Sequence, residues 1–266
     1  YDWANSVYSL VITTAIFPIY YNAVTTSSSG SDIVSFFGIE IVNSVLYSYS
    51  LSFSFLILTF FQPILSGIAD FSGNKKLFLR LFMYLGSFSC MALYFFDGDN
   101  VEFGIVCSVV ASIGFTGSLV FYNAFLPEIA SARDFDRISA RGYTFGYIGS
   151  VILLIIFLIL IQMFDSFGFK DSKSATKFTF LLVGVWWIIF SQITLYFLPQ
   201  NVKKIKVNFE ILSHGIRELF KVWNYIKNVR NLRLYLFSYF FYSMGVQTIM
   251  LVASYFGSKE LSLDQD

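Results

Sequence analysis

Tyr143 to Phe164 read YTFGYIGSVILLIIFLILIQMF, a run without one Asp, Glu, Lys, Arg or His. Coiled as an α-helix it would extend about 33 Å, enough to cross the roughly 30 Å hydrocarbon core of a bilayer. A helix apolar on every side finds no stable surface position on a water-soluble protein. The rest of the chain repeats the pattern. Six further segments of similar length and character lie near residues 3–22, 46–68, 77–96, 103–126, 178–198 and 234–256, so the sequence predicts an all-α integral membrane protein with seven spans. Composition agrees: 56% of the 266 residues are hydrophobic, 20% aromatic and only 13% charged, and mean hydropathy is +0.66. A soluble domain carries about a quarter charged residues.

The net charge of +1 says little, but the placement of the charges says more. One set of connections holds Lys75, Lys76 and Arg80, then Arg133, Arg137 and Arg141, then eight Lys and Arg from Lys203 to Arg233. The opposite set holds Lys170, Lys173, Lys177 and the trailing Lys259. Positive residues are retained on the cytoplasmic side, so the N-terminus is expected in the cytoplasm. Residues 1–199 form a six-helix bundle, 200–231 a cytoplasmic amphipathic linker, and 232–266 the seventh span. In the linker Phe209, Leu212, Ile216, Leu219, Phe220, Trp223 and Ile226 recur at helical spacing between basic residues, the pattern of a helix lying on a membrane face. His214 stands alone there, and Cys90 and Cys107 match no metal or redox spacing. No metal, cofactor or nucleic-acid partner is expected. The absence of an initiator Met, and of a signal peptide before the first apolar run, reads as an N-terminal fragment.

Within the spans, polar residues repeat at helical steps and mark faces turned toward protein or a water-filled cavity. Ser and Thr also glue helices together. Primary amides are more telling, because one left unpaired in hydrocarbon costs several kcal/mol. Asn5 and Thr13 on the first span, Gln62 on the second, Thr116 and Asn123 on the fourth and Gln247 on the seventh are the candidate substrate-cavity residues. Near the cytoplasmic ends Asp2 and Glu128 are open to three roles: helix cap, ion-pair partner or proton carrier. Gly142 and Gly146 form a small-xxx-small pair that admits a close helix neighbour.

The loop Ser66 to Lys76, SGIADFSGNKK, resembles the G-x-x-x-D-R-x-G-R-K signature of the major facilitator superfamily at its Asp, second Gly and Lys; Ser66, Phe71 and Asn74 depart from it. Four blocks, YDWANS (1–6), NAFLPEIA (123–130), RGYTFGYIGS (141–150) and GVQTI (245–249), resemble its vacuole-effluxer-like branch, bacterial relatives of the yeast autophagy-related vacuolar amino acid effluxer. That resemblance implies a major facilitator fold of two six-helix bundles, of which this chain holds the first plus the seventh helix. It also implies a cavity alternating between the two membrane faces, with inverted three-helix repeats in each bundle. Asp70, Gly73 and Lys75 become a gating loop. The function implied is secondary active transport of a small polar solute, with amino acid efflux foremost, the solute, the bilayer and a coupling proton or ion being the partners. An intramembrane lipid-modifying enzyme would need acids, bases or metal ligands clustered near one face, and the sequence holds no such cluster. A non-transporting receptor or scaffold is the third class.

Overall fold

A computed structural model of the chain describes residues 1–27, 30–199 and 220–259, with the backbone alone at Asp70, Phe71 and 250–259. Helices dominate, and among the described residues six are long and apolar enough to cross a membrane: Asp2–Thr25, Asn43–Ala69, Lys75–Phe95, Val101–Ile129, Ala132–Gln162 and Ser172–Phe197. They fall on the first six expected spans. The seventh segment is also helical, from Arg230 to Lys259. Two compact units divide the chain. One holds Tyr1–Gln62 and Lys75–Asn201; the other holds Pro63–Asn74 and Val202–Asp266.

In the larger unit the first span has three parts: α1 (Asp2–Val7), a π-helical stretch (Tyr8–Ala15) and α2 (Phe17–Thr25). Pro18 explains the widening. It brings no N–H to the carbonyl four residues earlier and its ring would collide there. The Ile16 N–H instead reaches back five residues to the Val11 carbonyl at 2.8 Å, and the Thr14 hydroxyl donates to the Ser9 carbonyl at 2.9 Å. Wide turns of this kind are rare and concentrate at functional sites.

Between the first and second spans, after the Ser- and Thr-rich stretch at 25–32, a two-stranded hairpin forms from β1 (Ile33–Phe36) and β2 (Ile39–Val42), paired Ile33 to Val42 and Phe36 to Ile39. Its two-residue turn, Phe37 and Gly38, has φ of +48° and +82°. Such a turn normally carries Asn-Gly or Asp-Gly, so the usual turn signal is absent. The Phe37 N–H is held by Glu102 Oε1 at 2.9 Å. Asn43 anchors the hairpin's end, its amide donating to Asn22 Oδ1 and Thr25 Oγ1, each at 3.0 Å.

The second span is α3 (Asn43–Ser72), the third α4 (Lys75–Ala92) and the fourth α5 (Val101–Asn123), followed by the short α6 (Leu126–Ile129). The fifth, α7 (Phe135–Gln162), starts eight residues before the apolar run, because the helix continues through a polar turn outside the hydrocarbon. The sixth is α8 (Ser172–Phe197). Asp171 starts it by accepting the Ser174 N–H at 2.7 Å, an N-cap that also sets the carboxyl below its usual range. Its hydrogen bonds with the Ser174 side chain and backbone are the cause.

Glycines bring α4, α5 and α8 into backbone contact. A Cβ on Gly114 would overlap the backbone of Gly86, and one on Gly86 would lie 2.5 Å from the Trp187 ring. Trp187 is fully buried and packs against Tyr8 and Phe115. A second aromatic cluster joins Phe17, Tyr21, Tyr47, Phe96 and Phe180 toward the other end. Aromatic pairs at these spacings add about 0.5–1.5 kcal/mol each beyond the area they bury.

In the smaller unit the end of α3 turns at Gly73, whose φ of +67° suits glycine. The Asn74 N–H closes that turn on the Ala69 carbonyl at 3.1 Å. The amphipathic linker lies outside the described residues as far as 219. Residues 220–228 form α9, on which Lys227 Nζ lies 5.4 Å from the centre of the Trp223 ring. α10 (Arg230–Lys259) follows.

Candidate functional site

The start of α1, the end of α5, α6 and the start of α7 meet at one end of the larger unit. Asp2 is central. Its Oδ2 accepts the Tyr122 hydroxyl at 2.9 Å, and it lies where a side chain on residue 142 would otherwise be, since a Cβ on Gly142 would overlap that same oxygen. One turn on, Gly146 leaves room for the Ser6 hydroxyl and the Asp2 carbonyl; Gly149 does the same for the Trp3 indole, which would lie 2.9 Å from an added Cβ. The small residues of α7 thus serve the first span. Trp3 is held in turn by its carbonyl, which accepts the Trp186 indole N–H at 3.1 Å.

Beside this contact opens a cleft of about 210 Å³, lined among others by Asp2, Tyr122, Asn123, Ser139 and Tyr143. It offers a carboxylate, an amide, three hydroxyls and two aromatic rings. Such a set can hydrogen-bond a polar solute and face a cationic group. Asn123 is exposed in the cleft, whereas Asn5, three residues after Asp2 on α1, is buried. Its Nδ2 has no hydrogen-bond partner among the described residues. A buried donor left in that condition costs about 1–3 kcal/mol.

Deeper in the bundle the Gln62 amide donates to the Thr116 carbonyl at 3.3 Å, joining α3 to α5. Thr13 lies in the π-helical stretch, where the Tyr8 hydroxyl interacts with those of Thr13 and Ser112, and Ser112 also accepts from Ser54 at 2.8 Å. Gln62 and Thr116 are therefore brought together, Asn123 joins Asp2, and Gln247 is exposed on α10 of the smaller unit. Sequence reasoning passed over Tyr122, Ser139 and Tyr143. Nothing separates Tyr122 and Tyr143 from the other fifteen tyrosines until the fold sets them against Asp2.

Of the loop residues, Gly73 supplies the left-handed turn and Lys75 pairs with Glu128 at 2.9 Å, tying the start of α4 to α6. Glu128 is thus an ion-pair partner. The side chain of Asp70 lies outside the described residues.

Three of the four distinctive blocks, at 1–6, 123–130 and 141–150, contribute to this one end of the bundle. Comparison with known proteins agrees. A family model described as "Vacuole effluxer Atg22 like" matches residues 1–266. The "Uncharacterized MFS-type transporter YxiO" of Bacillus subtilis is 34% identical over 97% of this chain and 58% of its own length. "Autophagy-related protein 22" of Pyricularia oryzae is 21% identical over 90% of this chain and 45% of its own. "Autophagy-related protein 22-1" of Aspergillus terreus is 20% identical over 87% and 50%. The chain thus spans about half the length of these relatives. No solved structure matches it. In helices, in the loop before α4 and in sequence, this all-α membrane chain is of the major facilitator type, and it belongs to the vacuole effluxer Atg22-like family.

Proposed function

We propose that the protein is a secondary active transporter that moves a small polar solute across a membrane by alternating access, with amino acid efflux as the first substrate class to test. The observation that carries this reading is the Asp2 cleft, where a carboxylate, the Asn123 amide and two tyrosines face an opening built from the blocks that characterise the family. The buried Asn5 amide on α1, whose Nδ2 has no hydrogen-bond partner among the described residues, and the Gln62–Thr116 bond between α3 and α5 support a polar lining deeper in the bundle. Asn5, Thr13, Gln62, Thr116, Asn123 and Gln247 are the proposed cavity residues. Asp70, Gly73 and Lys75 are the proposed gate, with the charge of Lys75 and the turn at Gly73 fixing the loop between α3 and α4. Residues 1–199 act as the first bundle, 200–231 as the linker, and 232–266 begin the second.

The N-terminus faces the cytoplasm of a bacterial inner membrane in this proposal. An alkaline phosphatase fusion after residue 99 should be active and one after residue 135 inactive; the reverse pattern would invert the orientation. For transport, the protein as its gene encodes it is placed in proteoliposomes, and counterflow of a mixed radiolabelled amino acid pool is followed. Accumulation by wild type that is lost in Asn123→Ala and in Gln247→Ala supports an amino acid carrier with its site in the cavity. No accumulation beside a working control carrier would reject amino acids and move the search to sugars and peptides.

A further inference from the structure

The first turns of α4 and the last turns of α8 run side by side at the same end of the bundle as the Asp2 cleft, but on another face. Between them is an open groove of about 730 Å³ lined by Lys76, Arg80, Gln192, Ile193, Tyr196 and Phe197. Lys76 does not swing freely. Its ammonium donates to the carbonyl of Leu198 at 2.9 Å, just past the last turn of α8, where the helix dipole favours a cation. Arg80 follows one turn later on the same face and is exposed. Neither residue has an ion pair among the described residues, and the groove lining contains no carboxylate. Two like charges four residues apart on a helix oppose each other unless an anion joins them.

Away from the charges the groove becomes apolar. Tyr84 and Phe88 continue the Arg80 face of α4, their rings stacked 5.8 Å apart, and exposed Ile193 and Ile189 continue the facing side of α8. From Arg80 to Phe88 this track runs about 12 Å along the helix. Tyr196 and Phe197, 82% and 77% exposed, are at the charged end, the level at which aromatic side chains collect in a bilayer. The Gln192 amide nitrogen is engaged by the Ile188 carbonyl at 3.0 Å.

We infer that this groove binds one anionic phospholipid from the leaflet on the basic side, with its phosphate between Lys76 and Arg80 and an acyl chain along Tyr84, Phe88, Ile189 and Ile193. Anion and hydrocarbon are answered in that order along the groove, and basic pockets between membrane helices are an established lodging for such headgroups. The site is separate from the solute path and stands whatever the protein carries.

The test uses the protein as its gene encodes it, purified in a neutral detergent and titrated with phosphatidylglycerol, phosphatidylcholine or inorganic phosphate while thermal unfolding is followed. Phosphatidylglycerol should raise the unfolding temperature saturably, and the other two should not. The K76Q/R80Q double variant should bind phosphatidylglycerol roughly thirtyfold more weakly, roughly fivefold for each charge removed. R80Q alone alters an exposed side chain with no hydrogen bond or ion pair among the described residues and covers the case in which the double variant does not fold. R133Q, which removes an exposed charge at the same end outside the groove, should leave binding unchanged. Equal protection by phosphatidylcholine, protection by inorganic phosphate alone, undiminished binding in R80Q, or equal weakening by R133Q would each overturn the site.

Discussion

Gly142→Ala tests whether the contact between α1 and α7 is a functional joint or ordinary packing. The new methyl would overlap Asp2 Oδ2, with Asp2 Cγ at 3.3 Å and Tyr122 Oη at 3.8 Å as the next atoms. The atom struck is the end of a side chain, so the carboxylate rotates away and the helices stay together. What is lost is the Tyr122–Asp2 hydrogen bond, worth about 1.5–3 kcal/mol when one partner is charged. Replacing a helical Gly by Ala returns about 0.5–1 kcal/mol. The net loss is therefore about 0.5–2.5 kcal/mol, nearer the lower figure because both partners are only half-buried. Tyr122→Phe removes the same bond with no return. Each variant is unfolded in mixed micelles of rising denaturing-detergent fraction, and counterflow is measured on the same preparations. If both substitutions act through one bond, the double variant is no less stable than Tyr122→Phe alone. Losses that instead sum to within about 0.5 kcal/mol would mean independent sites and would refute the reasoning.

Three other outcomes are expected. Gly114→Ala pushes a methyl into the Gly86 backbone, which cannot turn aside, so it should cost about 1–3 kcal/mol in the same unfolding assay; a neutral result would remove the close crossing of α4 and α5. Asp171 has its carboxyl pKa lowered by Ser174 in the folded protein, so its contribution is present above the unfolded value of about 3.9 and is lost as pH falls below it toward the folded value. The stability gap between wild type and Asp171→Ala should accordingly close on acidification; a gap that widens would contradict the cap. Cysteine at position 123 should react with a water-soluble maleimide in membranes, while cysteine at buried position 5 reacts more slowly; equal rates would reject the difference in burial.

The spans were legible because about twenty apolar residues in a row have few other structural outcomes. Polar turns hid the true start of α7, since Phe135 to Gly142 carries charges that look like loop while its backbone is already helical. The hairpin escaped notice for a different reason: Phe37 and Gly38 take left-handed φ without the Asn or Asp that usually announces it. At the site the residue types were legible and the partners were not. Gly142 and Gly146 announced a close helix without saying that Asp2 and Ser6 would fill the space. Gln62 and Thr116 marked inward faces, and only the packing of α3 on α5 joined them. Pairing across 140 residues depends on tertiary contacts, which local periodicity does not encode.

The widened turn in the first span has a genetic consequence. A π-helical bulge is what an α-helix makes of one extra residue, so removing a single residue between Tyr8 and Ala15 restores ordinary spacing without breaking the helix. Because the bulge absorbs that residue, the deletion leaves Phe17, Tyr20 and Tyr21 facing Phe96 and Phe180, whereas one residue removed from the α-helical turns after it would rotate them by about 100°. Relatives that keep the aromatic cluster can therefore shorten the distance from YDWANS to FPIYY by one residue only inside the widened turn, and a lineage that lost a residue from the α-helical turns instead should have changed the cluster as well.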